Sequence, residues 1–180
     1  MLLPLLLAVS LFVLPSIAQA TGIYGGDLIV QNTGNVTATF VGSNAGYTST
    51  LYLLGGDTAI FSTNAFAGST FSLGSFTAGT ALGFRLEVQN TGRTFFTGLG
   101  ANNPDGVAHT LVEDLGTGSM QVGWEDLWGG GDRDYNDLVF AFSNTAAHGK
   151  LVSNPEPSTI ILFGSGLLGL GVLRLRKKQE

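Results

Sequence analysis

The chain has 180 residues, a formal net charge of −5 at pH 7, 27 glycines and no cysteine. The absence of cysteine excludes disulfide bonds, thiolate metal sites and a cysteine nucleophile. Between residues 21 and 154 eleven acidic side chains face four basic ones, and this net charge of −7 argues against nucleic acid or an anionic membrane surface as a partner.

Residues 1–20 are predicted to form a signal helix that is removed on export. Residues 1–17 are apolar apart from two prolines and two serines, and Ala18 and Ala20 form an A-x-A cleavage motif. We expect signal peptidase to cleave after Ala20, so that the exported protein begins at Thr21.

Alternation of apolar and polar residues predicts β strands throughout residues 21–143. The clearest strand runs from Leu82 to Val88, where apolar side chains take one face and Arg85 and Glu87 take the other. No part of this region has a helical period. Further strands are predicted at residues 36–41, 47–54, 107–112, 120–124 and 138–142, and weaker ones at 28–30, 59–62, 70–76 and 93–97.

The segments between these strands are rich in turn-forming residues. Gly42–Gly46 and Leu54–Asp57 each follow a predicted strand, and both predict hairpins. Many short strands without intervening helices predict one all-β domain over residues 21–143. We expect an antiparallel β-sandwich, for which a jelly roll is one topology.

His109 is the one imidazole of residues 21–143. We interpret it as an inward-facing core residue whose ring nitrogens bind backbone or carboxylate groups, in preference to a zinc ligand or a general base. Asn103 and Asp105 precede it, and they would add oxygen ligands to a metal site if their loop lies beside the acidic segment described next.

Residues 125–137 concentrate negative charge in a long connection. If residues 120–124 and 138–142 are neighbouring strands, thirteen residues join them, whereas hairpin loops have about two to five. Carboxylates held together repel one another, and Arg133 alone cannot neutralise them. A bound calcium ion would resolve the repulsion and explain the length. The carboxylates are Glu125, Asp126, Asp132, Asp134 and Asp137.

The spacing within this segment fits calcium but not an EF-hand. Asp132, Asp134 and Asn136 recur at every second residue, and three preceding glycines allow sharp bends. Asp137 stands where an EF-hand has glycine, and Ser143 where it has its bidentate Glu. The alternative is a solvated acidic surface. The predicted ligands are Asp126, Asp132, Asp134, Asn136 and Asp137, with Glu125 as a further ligand or as an acceptor behind them.

Aromatic and carboxylate side chains of the same segment permit other readings. We interpret Trp124 and Trp128 as hydrophobic anchors of the segment, with stacking on a sugar ring as the alternative. Glu125 and Asp126 are adjacent, so on a strand they would point apart and would not form a glycosidase pair. The sequence carries no other enzyme motif, and we predict a protein without catalytic activity.

These residues carry a family resemblance. Trp124-Glu125-Asp126, then Gly-Gly-Gly-Asp, then Asp134-Tyr135-Asn136-Asp137 resembles the C-terminal signature of the DUF4114 domain, and the Asn103–His109 segment is similar to one that precedes it. The resemblance covers about residues 65–143. It implies a calcium-stabilised, β-rich module of secreted and surface proteins, including large adhesins.

The C-terminal region resembles the PEP-CTERM sorting signal of Gram-negative bacteria. Residues 144–154 are predicted to be a flexible tether. Pro155, Glu156 and Pro157 are followed by sixteen uncharged residues, 158–173, and then by a basic end. This run is a short transmembrane helix, since spans need roughly 17–25 residues. The resemblance implies that exosortase processes residues 155–180; an ordinary membrane anchor is the alternative.

Together these features predict an exported calcium-binding β-sandwich with a structural or adhesive role. Its C-terminal helix would anchor it in the inner membrane before processing, and the product would reach the outer envelope or the extracellular matrix. An exopolysaccharide or a cell-surface glycan is the predicted partner. The alternatives are a calcium-dependent carbohydrate-binding module and a carboxylate-based polysaccharide hydrolase.

Overall fold

The computed structural model describes residues 22–149. They form thirteen β strands and a single-turn 3₁₀ helix at Gly100–Asn102, which confirms the all-β prediction. The predicted signal helix, residues 1–20, and transmembrane helix, residues 158–173, lie outside the described residues. Within residues 22–149 no helix is long and apolar enough to cross a membrane. The strands are β1 (Ile23–Tyr24), β2 (Asp27–Val30), β3 (Gly34–Gly42), β4 (Ser49–Leu53), β5 (Ala59–Ser62), β6 (Thr70–Phe76), β7 (Ala81–Leu82), β8 (Phe84–Val88), β9 (Arg93–Phe96), β10 (Thr110–Asp114), β11 (Ser119–Trp124), β12 (Leu138–Ser143) and β13 (Thr145–His148).

The strands form three antiparallel sheets, packed as the predicted sandwich. The largest has the order β1-β10-β11-β12-β3-β6, the second β5-β4-β8-β9, and the third β13-β2-β7. Gly83 separates β7 from β8, so the single predicted strand from Leu82 to Val88 is divided between two sheets. A Cβ at Gly83 would lie 2.6 Å from the Leu54 side chain, which shows how closely the chain passes there.

The core lies between the largest sheet and the four-stranded sheet. Along β8 and β12 alternate residues are buried, as the period of two in the sequence predicts. Phe84 of β8 meets Phe142 of β12 across the interface, with ring centroids 4.6 Å apart. Leu86, Phe140 and Phe142 are fully buried, so this interface excludes water and fixes the positions of the strand ends.

The predicted hairpin at Gly42–Gly46 is wrong, whereas the one at Leu54–Asp57 is confirmed by the pairing of β4 with β5. Strand β3 pairs with β12 and β6, so residues 43–48 carry the chain from one sheet to another. Ser43 Oγ donates to the Asp137 carbonyl at 2.6 Å, and Asn44 N–H donates to the Asn136 carbonyl at 3.1 Å. These bonds hold the crossover beside the acidic segment instead of closing a hairpin.

The predicted tether is wrong for residues 145–148, which form β13 and pair with β2. Asn144 has a left-handed backbone, φ 55°, and reverses the chain immediately after β12. Its side chain also bonds to Asn32, beyond the end of β2. Small residues in β13 carry little of the apolar alternation that marks the other strands, which is why the pattern did not reveal it.

Candidate metal centre

The acidic segment leaves and returns at one place on the largest sheet. Strands β11 and β12 are neighbours, as predicted, and their last pair beside the segment is Trp124 with Leu138. Residues 125–137 therefore form a closed loop, which we call the acidic loop. Tyr135 bends back over β11, where a Cβ at Gly123 would overlap the Tyr135 carbonyl oxygen. The loop thus lies against its own strand.

Left-handed residues shape the second half of the acidic loop. Gly131, Arg133 and Tyr135 have φ values of 46°, 64° and 54°, and they alternate with Asp132 and Asp134. Asp132 Oδ1 accepts from the Asp134 N–H at 3.3 Å. Asp134 Oδ1 in turn accepts from the N–H of the residue two positions further on, at 3.1 Å. The aspartates therefore shape the backbone that carries them.

Three carboxylates converge at the centre of the acidic loop. Glu125, Asp132 and Asp134 each direct an oxygen into a group whose members lie within 4.8 Å of one another. Asp132 and Asp134 are exposed, whereas Glu125 is only 1% exposed. A Cβ at Gly131 would overlap Glu125 Oε2, so glycine is needed for this approach. We call these three residues the open triad.

Burial and neighbouring charge make Glu125 a weak acid. Burial raises the pKa of Glu125 to about 7, and the charges of Asp137, Asp132 and Asp134 raise it further, against the lowering effect of the Tyr135 N–H. That N–H donates to Glu125 Oε1 at 2.7 Å. A cation among the open triad would reverse this balance, because it favours the ionised carboxyl.

Asp126 and Asp137 form a second carboxylate pair, which we call the closed pair. Asp126 is 2% exposed and its Oδ2 accepts from Ser49 Oγ at 3.0 Å. Asp137 Oδ2 accepts from the Asp126 N–H at 2.8 Å. Burial raises the pKa of Asp126 to about 6, and the Asp137 carboxyl adds to the shift. The predicted ligands thus lie in two groups, with the Asn136 amide donating to Asp134 Oδ2.

His109 is a buried structural residue, as predicted from the sequence. It is fully buried and its ring stacks on Phe95, with centroids 3.7 Å apart. Nδ1 lies 2.7 Å from the Glu125 carbonyl oxygen, and Nε2 lies 2.9 Å from Asp105 Oδ2. Both ring nitrogens are therefore occupied. The predicted strand that includes His109 begins one residue later, at Thr110.

Asp105 lies beside the acidic loop but serves as a latch. Its Oδ2 accepts from the Gly129 N–H at 2.8 Å as well as meeting His109. Burial alone would raise the pKa of Asp105, but hydrogen bonds from Gly129, His109 and Val107 outweigh it and the pKa is lowered. Asn103 bonds instead to the backbone of Phe96, at the edge of β9.

The two tryptophans differ. Trp124 is fully buried in the core, as an anchor should be. Trp128 is 48% exposed, so its interpretation as a hydrophobic anchor is wrong. The Arg93 guanidinium lies 4.5 Å from the centroid of the Trp128 ring. This contact is a cation–π interaction that holds the ring upright at the surface.

Sequence reasoning missed two residues that shape the loop. Ser49 binds Asp126 from the start of β4, and nothing in its sequence context indicates that contact. Tyr135 is buried, caps Glu125 through its N–H, and packs its ring 5.3 Å from that of Tyr24. A buried aromatic between aspartates was the available signal for Tyr135.

Comparison with known proteins gives two matches. A family model described as "Domain of unknown function (DUF4114)" matches residues 44–145, a longer stretch than the resemblance noted in the sequence. The PEP-CTERM protein-sorting motif matches residues 155–177, beginning at the predicted Pro155-Glu156-Pro157. No curated protein matches the chain. The sorting motif identifies a secreted, envelope-targeted protein that exosortase processes.

Proposed function

The chain belongs to the DUF4114 family and carries a PEP-CTERM sorting motif, and we propose that it is a calcium-binding β-sandwich with a structural or adhesive role. Its place would be the outer envelope or the exopolysaccharide matrix of a Gram-negative bacterium, after signal peptidase and exosortase have removed its ends. The observation that carries the proposal is the open triad, in which three carboxylates converge over a buried floor.

Charge supports a cation at the open triad. Glu125, Asp132 and Asp134 place up to three negative charges within 4.8 Å, and the nearest basic neighbour in sequence, Arg133, has an exposed side chain. Without a cation the burial of Glu125 opposes its ionisation. With one, each carboxyl gains an attractive partner and the loop loses its main source of repulsion.

The donor atoms favour calcium over a transition metal. Every candidate ligand offers oxygen, the chain has no cysteine, and both nitrogens of His109 are already occupied. Calcium accepts six to eight oxygen ligands in flexible arrangements, and main-chain carbonyls and water complete many of its sites. Extracellular modules bind it at roughly 10⁻⁴–10⁻³ M, a range suited to an exported protein.

A structural role follows from what calcium would stabilise. The acidic loop contacts β1 through Tyr24, the crossover through Ser43, and the loop before β10 through Asp105. Ordering the loop would therefore brace three parts of the sandwich at once. Binding of calcium at about one hundred times its Kd stabilises a fold by about 2.7 kcal/mol.

Calorimetric titration of calcium into the chelator-treated protein, with thermal unfolding in parallel, tests the proposal. We expect saturable binding and a higher Tm, both lost in Asp132→Asn/Asp134→Asn. The matched control is Asp57→Asn/Asp114→Asn, which removes the same charge from two exposed sites elsewhere. Absence of binding by the unmodified protein, or equal weakening by both double variants, would overturn the proposal.

A calcium-dependent carbohydrate-binding module is the second candidate, favoured by the exposure of Trp128. Its ring stands 48% exposed beside the acidic loop, and Arg93 supports it. Aromatic faces of this kind stack on sugar rings. Glycan-array binding that is abolished by chelator and by Trp128→Ala would support this function, and unchanged binding in Trp128→Ala would exclude that ring from it.

A polysaccharide hydrolase is the last candidate, and our proposal is that the protein is not an enzyme. The raised pKa of Glu125, about 7, is a property of catalytic acids, and it is the one observation in favour. Release of reducing sugar from matrix polysaccharide that disappears in Glu125→Gln, with Tm unchanged, would establish the hydrolase and contradict our proposal.

A further inference from the structure

A groove of about 560 Å³ opens on the side of the sandwich where the described chain ends. Its lining includes Ile23 of β1, Val112 of β10, Met120 of β11, and Ala146 and Ala147 of β13. None of the residues that line it belongs to the acidic loop. The groove is therefore a feature separate from the candidate metal centre, and it does not depend on calcium.

Two strand edges face this groove. Among the described strands β13 pairs only with β2, and β1 pairs with β10 at just two positions. The N–H of Thr145 reaches the Gly118 carbonyl at 3.2 Å, and this bond joins β13 to the turn after β10 at one end. Beyond it the edges leave backbone groups that an added extended segment can pair with.

The chain bends at Gly149, which itself lines the groove. Its φ of 150° is a value that favours glycine. A Cβ there would lie 3.0 Å from the Ile23 side chain and 3.5 Å from Gly26 Cα, so the chain passes directly over the end of β1. The residue that follows β13 thus sits at the mouth of the groove.

The residues that follow Gly149 in the sequence match the groove chemically. They read Lys150-Leu151-Val152-Ser153-Asn154, one basic residue and then two apolar ones. The lining is largely apolar, and Asp114 is the one ionisable side chain among the described residues that form it. Apolar side chains gain by leaving water, and Lys150 and Asp114 have opposite charges.

We propose that residues 150–154 of the same chain seat in this groove, extended along the free edge of β13. Leu151 and Val152 cover the apolar lining, and Lys150 turns toward Asp114. The seat has a consequence for sorting, because Pro155 follows directly and the motif is then presented at a fixed edge of the folded domain. After exosortase cuts near the motif, the segment remains as an additional edge strand.

Disulfide trapping in the full chain tests the seat, since the protein has no cysteine of its own. The probe is Gln31→Cys with Val152→Cys, because Gln31 is an exposed residue of the groove that is distant in sequence. The matched control is Phe66→Cys with Val152→Cys, since Phe66 is 86% exposed and does not line the groove. We expect the probe pair to close within one molecule about tenfold faster than the control.

A groove-filling variant keeps the test decisive. Adding Ala146→Trp to the probe pair should slow its closure to the control rate while Tm shows that the fold survives. Equal rates for the probe and control pairs would overturn the proposal. Disulfide-linked dimers in place of a linked monomer would overturn it as well, by assigning the groove to a second copy of the chain.

Discussion

The two ends of β11 carry connections of opposite character. At one end residues 115–118 form a tight turn to β10, closed by the Leu115 N–H on the Ser119 carbonyl at 3.0 Å. At the other end the acidic loop spends thirteen residues reaching β12. The turn is stabilised by its own backbone, whereas the loop depends on side-chain oxygens that repel one another. Glycine is abundant in both, so composition alone does not distinguish a turn from a ligand loop.

The largest expected difference between the two connections is in their response to pH. The raised pKa of Glu125, about 7, lies above its ordinary value of 4.5, so between these values the folded protein holds more protons than the unfolded chain. The contribution of Glu125 is present below pH 4.5 and is lost as pH rises to 7. We expect a loss on the order of 3 kcal/mol in calcium-free protein.

Urea unfolding at pH 4.5 and pH 7.5 in chelator measures that response. Glu125→Gln should remove most of the pH dependence, because its amide does not ionise. Asp114→Asn, in the turn, should leave the dependence as it is. A pH dependence that survives Glu125→Gln would assign the effect to other groups, foremost Asp126.

A matched pair of glycine substitutions compares the two connections sterically. Gly123→Ala places a Cβ against the Tyr135 carbonyl of the acidic loop, where backbone must move. Gly116→Ala has a similar conformational penalty, φ 75°, but no atom within 4 Å. We expect Gly123→Ala to destabilise the protein by about 3 kcal/mol and Gly116→Ala by about 1–2 kcal/mol. Equal values from urea unfolding would mean that the loop is free to lift from β11.

Removing Ser49 Oγ tests how firmly the closed pair is held. Ser49→Ala deletes the hydroxyl that donates to Asp126, and we expect a loss of about 1–2 kcal/mol because the carboxyl stays buried. Thr50→Ala, on the next and partly exposed position of β4, is the control. Thermal unfolding of both variants gives the comparison, and a neutral Ser49→Ala would show that the closed pair needs no support from β4.

The smallest expected effect is at the surface of the acidic loop. Arg93→Ala removes the cation above the Trp128 ring, and a contact this exposed is worth about 0.5–1 kcal/mol. Trp128 fluorescence in Arg93→Ala should report a more mobile ring, with Arg85→Ala on the neighbouring strand as the control. An unchanged emission in Arg93→Ala would mean that other contacts orient the ring.

The sequence predicted most strands because burial imposes a period of two wherever side chains are large. Leu82–Val88 shows that period in its letters, and the structure buries the expected face. Thr145–His148 has small residues and escaped notice, although β2 binds it along its whole length. The crossover after Gly42 was mistaken for a hairpin because turn residues report a bend and not the strand that follows it.

Within the candidate site, spacing predicted Asp132 and Asp134 together, since alternate residues of a bent loop share a side. It did not separate Glu125 from Asp126. The structure places Glu125 in the open triad and Asp126 in the closed pair with Ser49. That division depends on where strand β11 ends and on a serine from a distant strand, and neither is encoded in the local spacing of charges.

The pairing of β2 with β13 bears on the order in which this exported chain folds. Asp27 opposes His148, and Ile23 opposes Val112, so strands from the beginning of the domain find their partners only near its end. Such distant pairings fold slowly, because a long loop must close before any contact rewards it. A chain that crosses a membrane from its first residue onward keeps these early strands unpaired until its last strand has emerged. The sandwich is thus completed on the outer side of the membrane.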